Sequence, residues 1–422
     1  MDKRTFLKGM ALAGLSAPFS RNTMAELLAS VKGKLVNEIA ANEEFWEGIR
    51  GGYKLKPDYI NLENGYYNFM PEQLLESFIK HVRAVNYEGS YYMRTVQFDN
   101  KKNIAAQLAK IAGCLPDELV ITRNTTESLD MVIGGLHWNA GDEAIMAEQD
   151  YGSMLEMFKL VARRFGVVNK IVSVPNHPAS DDELVSLYEK AITPRTKLMM
   201  ISHIVNITGQ ILPVRKICDM AHSKGVDVMV DGAHSYAHIQ FNIPDLHCDY
   251  YGASLHKWLT TALGAGILYV KKENIKKVWP LLAEGDRKED DITRLNHIGT
   301  HPAHTDLAIA NAIEYFNMIG AERKEARMRY LQQYWTSKVR NIPKVVVNTP
   351  VESTRACGIA NVGIEGMKPA LLAETLLKKY KIYTVAIDYA NVQGCRITPN
   401  LYTQPQELDV LVKALTELSK QS

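Results

Sequence analysis

The sequence predicts an α/β fold, with a mainly parallel sheet in a large domain and a smaller α+β domain at the C-terminus. Three observations carry this. From about residue 100 to 270, short apolar runs alternate with segments of helical periodicity, the pattern of strands joined by helical crossovers and covered on both faces. After about residue 300 a long helical stretch gives way to closely spaced apolar runs and a last helical segment. The chain has 422 residues, more than one small core requires and enough for two domains.

Composition narrows the function classes. Apolar residues make up 46% and charged residues 23%, as in a soluble globular protein. The net charge is +2, without the positive excess that binds nucleic acid. The five cysteines are scattered, with no CxxC and no Cys/His pair at metal spacing, so neither a disulfide framework nor a metal site is expected. Residues 1–25 read as a twin-arginine-like signal or a disordered tail. Lys3-Arg4-Thr5-Phe6-Leu7-Lys8 precedes a mild apolar run from Gly9 to Phe19. That order suggests export to the periplasm, although Lys3 stands where the first arginine usually is; without export the protein is cytoplasmic. The run is too short to span a bilayer, and no other segment qualifies as an integral membrane span.

Taken in order, residues 26–50 read as a helix, with Leu27, Leu28, Val31, Leu35 and Ile39 at helical spacing. Tyr59–Leu62 is a short extended piece leading into the polar loop Glu63-Asn64-Gly65-Tyr66-Tyr67-Asn68. Pro71 suits the first turn of a helix over 72–86. Tyr87–Gln97 reads as an aromatic loop, either packed or lining a pocket in which Arg94 faces an anionic substrate. Helices are expected over 99–113, 124–136, 152–165, 181–191 and 213–224. Strands are expected over 118–122, 144–147, 169–174, 197–202, 226–230 and 267–270. Asn124 with Glu127 forms a capping-box pattern at the second helix. A long helix over 304–340 follows, then strands at 344–348, 357–362, 382–385 and 395–397, and a helix over 405–420. Residues 26–300 are assigned to the large domain, with 26–70 packing against the small one, and 301–422 to the small domain.

Polar residues cluster just past the expected strand ends, where ligands of open α/β sheets sit. Thr125 and Thr126 begin a helix, whose free N–H groups and dipole favour an anion such as phosphate. Asp231-Gly232-Ala233-His234 ends a strand with a carboxylate, then room for a flat ring over Ala233, then an imidazole. Asp231 without the lysine reads first as a helix cap. Ser254-Leu255-His256-Lys257, about one strand–helix–strand step later, adds an amine. Together they meet the needs of pyridoxal 5'-phosphate: a lysine for the Schiff base, an acid to keep the ring nitrogen protonated, an anchor for the phosphate, and polar partners, Asn206 and His234, for the ring oxygen.

These motifs, with Thr122–Glu127, Ile201–Gly209, Gly264-Ala265-Gly266, Gly299-Thr300, Arg396 and Tyr402, resemble the fold-type I pyridoxal phosphate enzymes of the class V aminotransferase family. The isopenicillin N epimerase-like and cysteine desulfurase-like branches are most similar. The resemblance implies Lys257 and Asp231 as catalytic residues. It implies Thr125, Thr126, Ser254 and His256 as phosphate ligands, and Arg396 as the grip on a substrate carboxylate. It also implies a homodimer with shared active sites, Thr300 reaching the neighbour's phosphate. Departures from the pattern are Gln149 where a ring-stacking histidine often stands, leaving Tyr151 as the candidate stacking residue, and His234 where desulfurases often carry glutamine. The segment Ile387–Gly394 lacks the nucleophilic cysteine of the group II desulfurases, which argues against persulfide transfer.

The expected activity is at the α-carbon of an amino acid or peptide-derived amine bearing a carboxylate, epimerase- or aminotransferase-like through the Lys257 Schiff base. A lyase, an exported enzyme tailoring a siderophore or similar peptide, and a non-catalytic binding module on the same fold are the alternatives.

Overall fold

The computed structural model of the chain describes residues 21–282 and 286–421. The twin-arginine-like run Lys3–Phe19 lies outside the described residues. Where one helix over 26–50 is expected, the chain forms α1 (Arg21–Ser30), α2 (Val36–Ala40) and α3 (Glu43–Arg50). The chain turns at Val31–Gly33, and Asn42 starts α3 by accepting the Phe45 N–H at 3.1 Å, the role of an N-cap side chain. β1 (Ile60–Asn61) pairs in parallel with Ile382–Tyr383. Arg50 adds an ion pair with Glu407 at 2.9 Å. The early chain is thereby tied to the C-terminal one, and the loop at 63–68 is held between them.

Next come α4 (Glu72–Glu88), α5 (Ser90–Thr95) and α6 (Gln97–Ala112). The aromatic stretch expected as a loop is therefore mostly helical. Tyr92 is buried there and its hydroxyl accepts from Asn100 Nδ2 at 3.1 Å, whereas Arg94 is exposed in the last turn of α5, where a cation complements the helix dipole.

The large sheet contains β2 (Leu119–Thr122), β3 (Glu143–Ala147), β4 (Val168–Val172), β5 (Thr196–Ser202), β6 (Asp227–Asp231), β7 (Tyr250–Ser254) and β8 (Gly266–Val270). Its order is β2-β8-β7-β6-β5-β3-β4. β4, β3, β5, β6 and β7 run parallel, and β8 is antiparallel to both its neighbours. The crossover helices are α7 (Thr125–Gly135), α8 (Gly152–Phe165), α9 (Asp181–Glu189) and α10 (Val214–Ser223). Side chains alternate across the pleat. Ile145, Met199 and Ile201 enter one core cluster, while Ala144, Met146, Leu198 and Met200 enter the cluster on the other face. Burying each large apolar side chain stabilises the fold by about 2 kcal/mol, which explains why these strands are apolar on both faces. The one-way run of strands brings the C-terminal ends of β2, β3, β5, β6 and β7 to one edge.

The expected helix over 304–340 is two, α11 (Ala303–Ile319) and α12 (Ala321–Val339). Gly320 separates them at φ 83°, a conformation open to glycine and strained for other residues. β9 (Val345–Val347), β10 (Ala360–Ile364), α13 (Pro369–Tyr380), β11 (Ile382–Tyr383), β12 (Val385–Tyr389), β13 (Val392–Ile397) and α14 (Pro405–Leu418) complete the chain. The second sheet is antiparallel, in the order β12-β13-β10-β9. The helix α13 adds to the expected elements; proline at its first position is its sequence signal. Among the described residues no helix is long and apolar enough to cross a membrane.

Candidate active site

A cavity of about 370 Å³ opens at the C-terminal edge of the large sheet. Thr125 and Thr126 line it from the first turn of α7, Tyr151 from the loop after β3 and Asn206 from the loop after β5. Asp231 ends β6, with Ala233 and His234 just after it; Ser254 ends β7, with His256 and Lys257 just after it; Arg396 enters from β13. Arg94 and Thr300 do not line it, and both are exposed. Arg94 is carried away by the helix that replaces the expected loop. Thr300 lies on the surface of the single chain.

Hydroxyls and an imidazole gather at the N-terminus of α7 in one part of the cavity. Asn124 caps α7 by accepting the Glu127 N–H at 2.9 Å. Thr125 donates its N–H to Ser254 Oγ at 2.8 Å, and its hydroxyl meets the same oxygen at 2.8 Å. Beside them His256 Nδ1 is buried without a hydrogen-bond partner. Burial, then the nearby Lys257, push the His256 ring down to about 4, so it is neutral at physiological pH. An unpartnered buried nitrogen next to two hydroxyls at a helix N-terminus is the donor set a phosphate uses.

The same cavity holds the acid and the amine. Asp231 accepts the Ala233 N–H at 2.9 Å. Burial raises its carboxyl, while that hydrogen bond and the Lys257 charge lower it. A cationic ring nitrogen set against Asp231 would favour the carboxylate further. The Lys257 amine lies 3.2 Å from His234 Nε2. Burial pushes the amine down to about 8, against the pull of Asp231. A fraction of it is therefore neutral and nucleophilic near pH 7. Asn68 fixes the peptide that carries it. Its N–H donates to His256 O at 3.2 Å and its side-chain amide donates to Lys257 O.

Arg396 is seated in a slot. Its Nε and one terminal nitrogen donate to the Glu63 carboxylate at 3.3 and 2.6 Å, and the other donates to Asn206 O at 3.2 Å. Five N–H donors are available on a guanidinium, so two remain, the number a carboxylate takes in a bidentate pair. The guanidinium lies flat on the backbone of Gly65, where a Cβ would come within 2.7 Å of Arg396 Cζ. Sequence reasoning quoted Glu63, Gly65 and Asn68 as parts of a polar loop and gave them no role.

Gln149 is buried and turned away from the cavity. Its amide donates to Asn391 Oδ1 at 2.8 Å and accepts the Val174 N–H at 2.9 Å. Tyr151, at 42% exposure, lines the cavity wall, as does the more exposed Tyr66. Asp150, between them, is a further buried acid. It accepts from Ala147 N and Ser202 Oγ, each at 2.8 Å, and burial raises it to about 7. None of the cysteines lines the cavity, and burial pushes the Cys357 and Cys395 thiols up to about 12.

Comparison with known proteins agrees with this geometry. The family model "Aminotransferase class-V" matches residues 71–388. The isopenicillin N epimerase of Streptomyces clavuligerus is 27% identical over 397 residues, covering 89% of this chain and 98% of that protein. Among solved structures, the apo cysteine desulfurase of Thermococcus onnurineus NA1 superposes with a TM-score of 0.79 at 22% identity, covering 89% of this chain and 98% of that one. A variant of C-DES with glycine covalently linked to its PLP cofactor gives 0.78 at 19% identity, covering 87% and 99%. These two share the fold. With its matched segment, its fold-type I architecture and a cavity that fits the cofactor, the chain belongs to the class V aminotransferase family of pyridoxal 5'-phosphate enzymes.

Proposed function

We propose that the protein moves the α-proton of an amine substrate bearing a carboxylate, as an epimerase- or aminotransferase-like enzyme. The observation that carries this is the convergence of Lys257, Asp231 and Arg396 on one cavity, with Lys257 partly neutral because its amine is pushed down to about 8. When bound, pyridoxal phosphate supplies an aldehyde and an electron-accepting ring.

The chain's own residues do the rest. Thr125, Thr126, Ser254 and His256 would bind the phosphate. Asp231 would keep a proton on the ring nitrogen. Asn206 and His234 would be the polar partners of the ring, and Tyr151 the candidate stacking residue. Arg396, oriented by Glu63 and Asn206 O, anchors the substrate carboxylate through its two remaining donors. That anchor sets the Cα–H bond towards Lys257, whose amine takes the proton as general base. Delivery of a proton from solvent to the face of Cα opposite Lys257 would invert the centre; delivery away from Cα, followed by hydrolysis with water, would release a keto acid and leave the amino group on the cofactor.

The epimerase among the relatives supports the first outcome. Relay of sulfur through a cysteine is disfavoured, because no thiol lines the cavity. We further propose a homodimer in which Thr300 completes the neighbour's phosphate site, and export directed by the N-terminal segment.

The test is product analysis after incubating holoenzyme with L-amino acids and N-terminal peptide amines. The D-epimer supports inversion, and a keto product with loss of visible absorption supports transamination. Sulfide or pyruvate release from cysteine without either would overturn the reading.

A further inference from the structure

Lys257 is followed by a fully buried tryptophan whose indole nitrogen has a defined task. Trp258 Nε1 donates to His234 Nδ1 at 3.3 Å, and the other ring nitrogen of His234 faces Lys257 Nζ at 3.2 Å. An imidazole that is neutral has one bare nitrogen and one N–H. The indole, a donor only, takes the bare one. His234 Nε2 therefore carries the hydrogen and points it at the amine. An N–H facing an ammonium is a clash of donors, whereas an N–H facing a neutral amine is a hydrogen bond to its lone pair.

We infer that Trp258 is a positioning residue that locks the His234 tautomer, so that His234 presents a donor to the active site and selects the neutral form of Lys257. The indole cannot turn away from this task. His238 stacks on it at 3.7 Å and 13°. His238 is itself fixed, donating from Nδ1 to His234 O at 2.7 Å and accepting the Gly358 N–H on Nε2 at 2.9 Å. The buried Lys324 on α12 donates to the Trp258 carbonyl. The same donor would suit an acceptor oxygen of a bound cofactor, so one lock would suit both states of the site. The charged groups that act on Lys257 are Asp231, Arg396 and Glu63, with neutral His256 adjacent. A change of the indole alone leaves all of them in position.

This inference rests on the cofactor-site reading for Lys257, and the test separates the two. Trp258→Phe keeps an aromatic ring beside His238 and removes the N–H together with one ring of the indole, a packing change that the His234→Gln background controls for. The readout is the pH midpoint for formation of the visible band when pyridoxal phosphate is added to the cofactor-free chain. With the lock gone, His234 can offer a bare Nε2 to the ammonium. The midpoint should then rise by about half to one pH unit, the worth of one hydrogen bond. In a His234→Gln background the same change should add no further shift. An unchanged midpoint in the folded Trp258→Phe protein, or an equal shift with and without His234, would overturn the lock. If Trp258→Phe does not fold, ¹⁵N-histidine NMR of the wild-type holoenzyme decides: a His234 protonated on Nε2 upholds the lock and one protonated on Nδ1 refutes it. Lack of turnover with Nε2 protonated counts against the proposed reaction alone.

Discussion

Lys257→Met should make the cofactor-free chain more stable at neutral pH. The wild-type amine is held at about 8 in the folded chain, against an ordinary 10.5, with burial as the largest cause. Its folded-state value is depressed, so the unfolded chain binds more protons between pH 8 and 10.5. Stability therefore rises with pH across that window and is lost as pH falls through 8. A shift of this size corresponds to about 3 kcal/mol. Because Lys257 opens on a cavity that water enters, about 2 kcal/mol is the better expectation. Methionine has similar length and no charge, so the variant should gain that amount at pH 7 and show no corresponding rise from 8 to 10.5. Urea unfolding of both cofactor-free proteins at pH 7 and 10 measures it. A variant no more stable than wild type at pH 7, or equal pH slopes, would refute the view that the amine is strained towards its neutral form.

Glu63→Ala strips the buried Arg396 of its ionic partner, the pair being 9% and 7% exposed, and should cost about 3 kcal/mol in thermal or urea unfolding; a carboxylate ligand should recover part of the loss. Gly65→Ala puts a methyl within 2.7 Å of Arg396 Cζ and should raise KM for carboxylate substrates with little change in the visible spectrum. Ser254→Ala removes the oxygen shared with Thr125 at 2.8 Å and should weaken pyridoxal phosphate binding about tenfold in a spectral titration. Lys3→Ala with Arg4→Ala should leave an exported protein in the cytoplasm, as cell fractionation will report.

The sheet was legible because its inner parallel strands are apolar on both faces and end in, or just before, polar residues. Asp231 and the Ser254–Lys257 run are local patterns that carry their chemistry with them. What escaped is long-range. Glu63 meets Arg396 across 333 residues, and no periodicity links a polar loop to a strand so far on. Gln149 stands where a stacking residue was sought, but its contact with Asn391, 242 residues later, diverts it. Trp258 stood beside the lysine in plain view, yet only the direction of its indole N–H reveals its task. Helix boundaries failed for a simpler reason: Gly320 sits inside an otherwise continuous helical pattern, and its backbone angle, not its neighbours, ends the helix.

The central claim is that Lys257 moves a proton at the substrate α-carbon. Holoenzyme incubated in D₂O with carboxylate-bearing amines tests it most directly, with the Cα position of the recovered substrate read by mass spectrometry or NMR. The account predicts deuterium at Cα with wild type, and loss of both exchange and the visible band with Lys257→Ala. Exchange that persists in Lys257→Ala, or a normal visible band in wild type with no Cα exchange for any such amine, would contradict it.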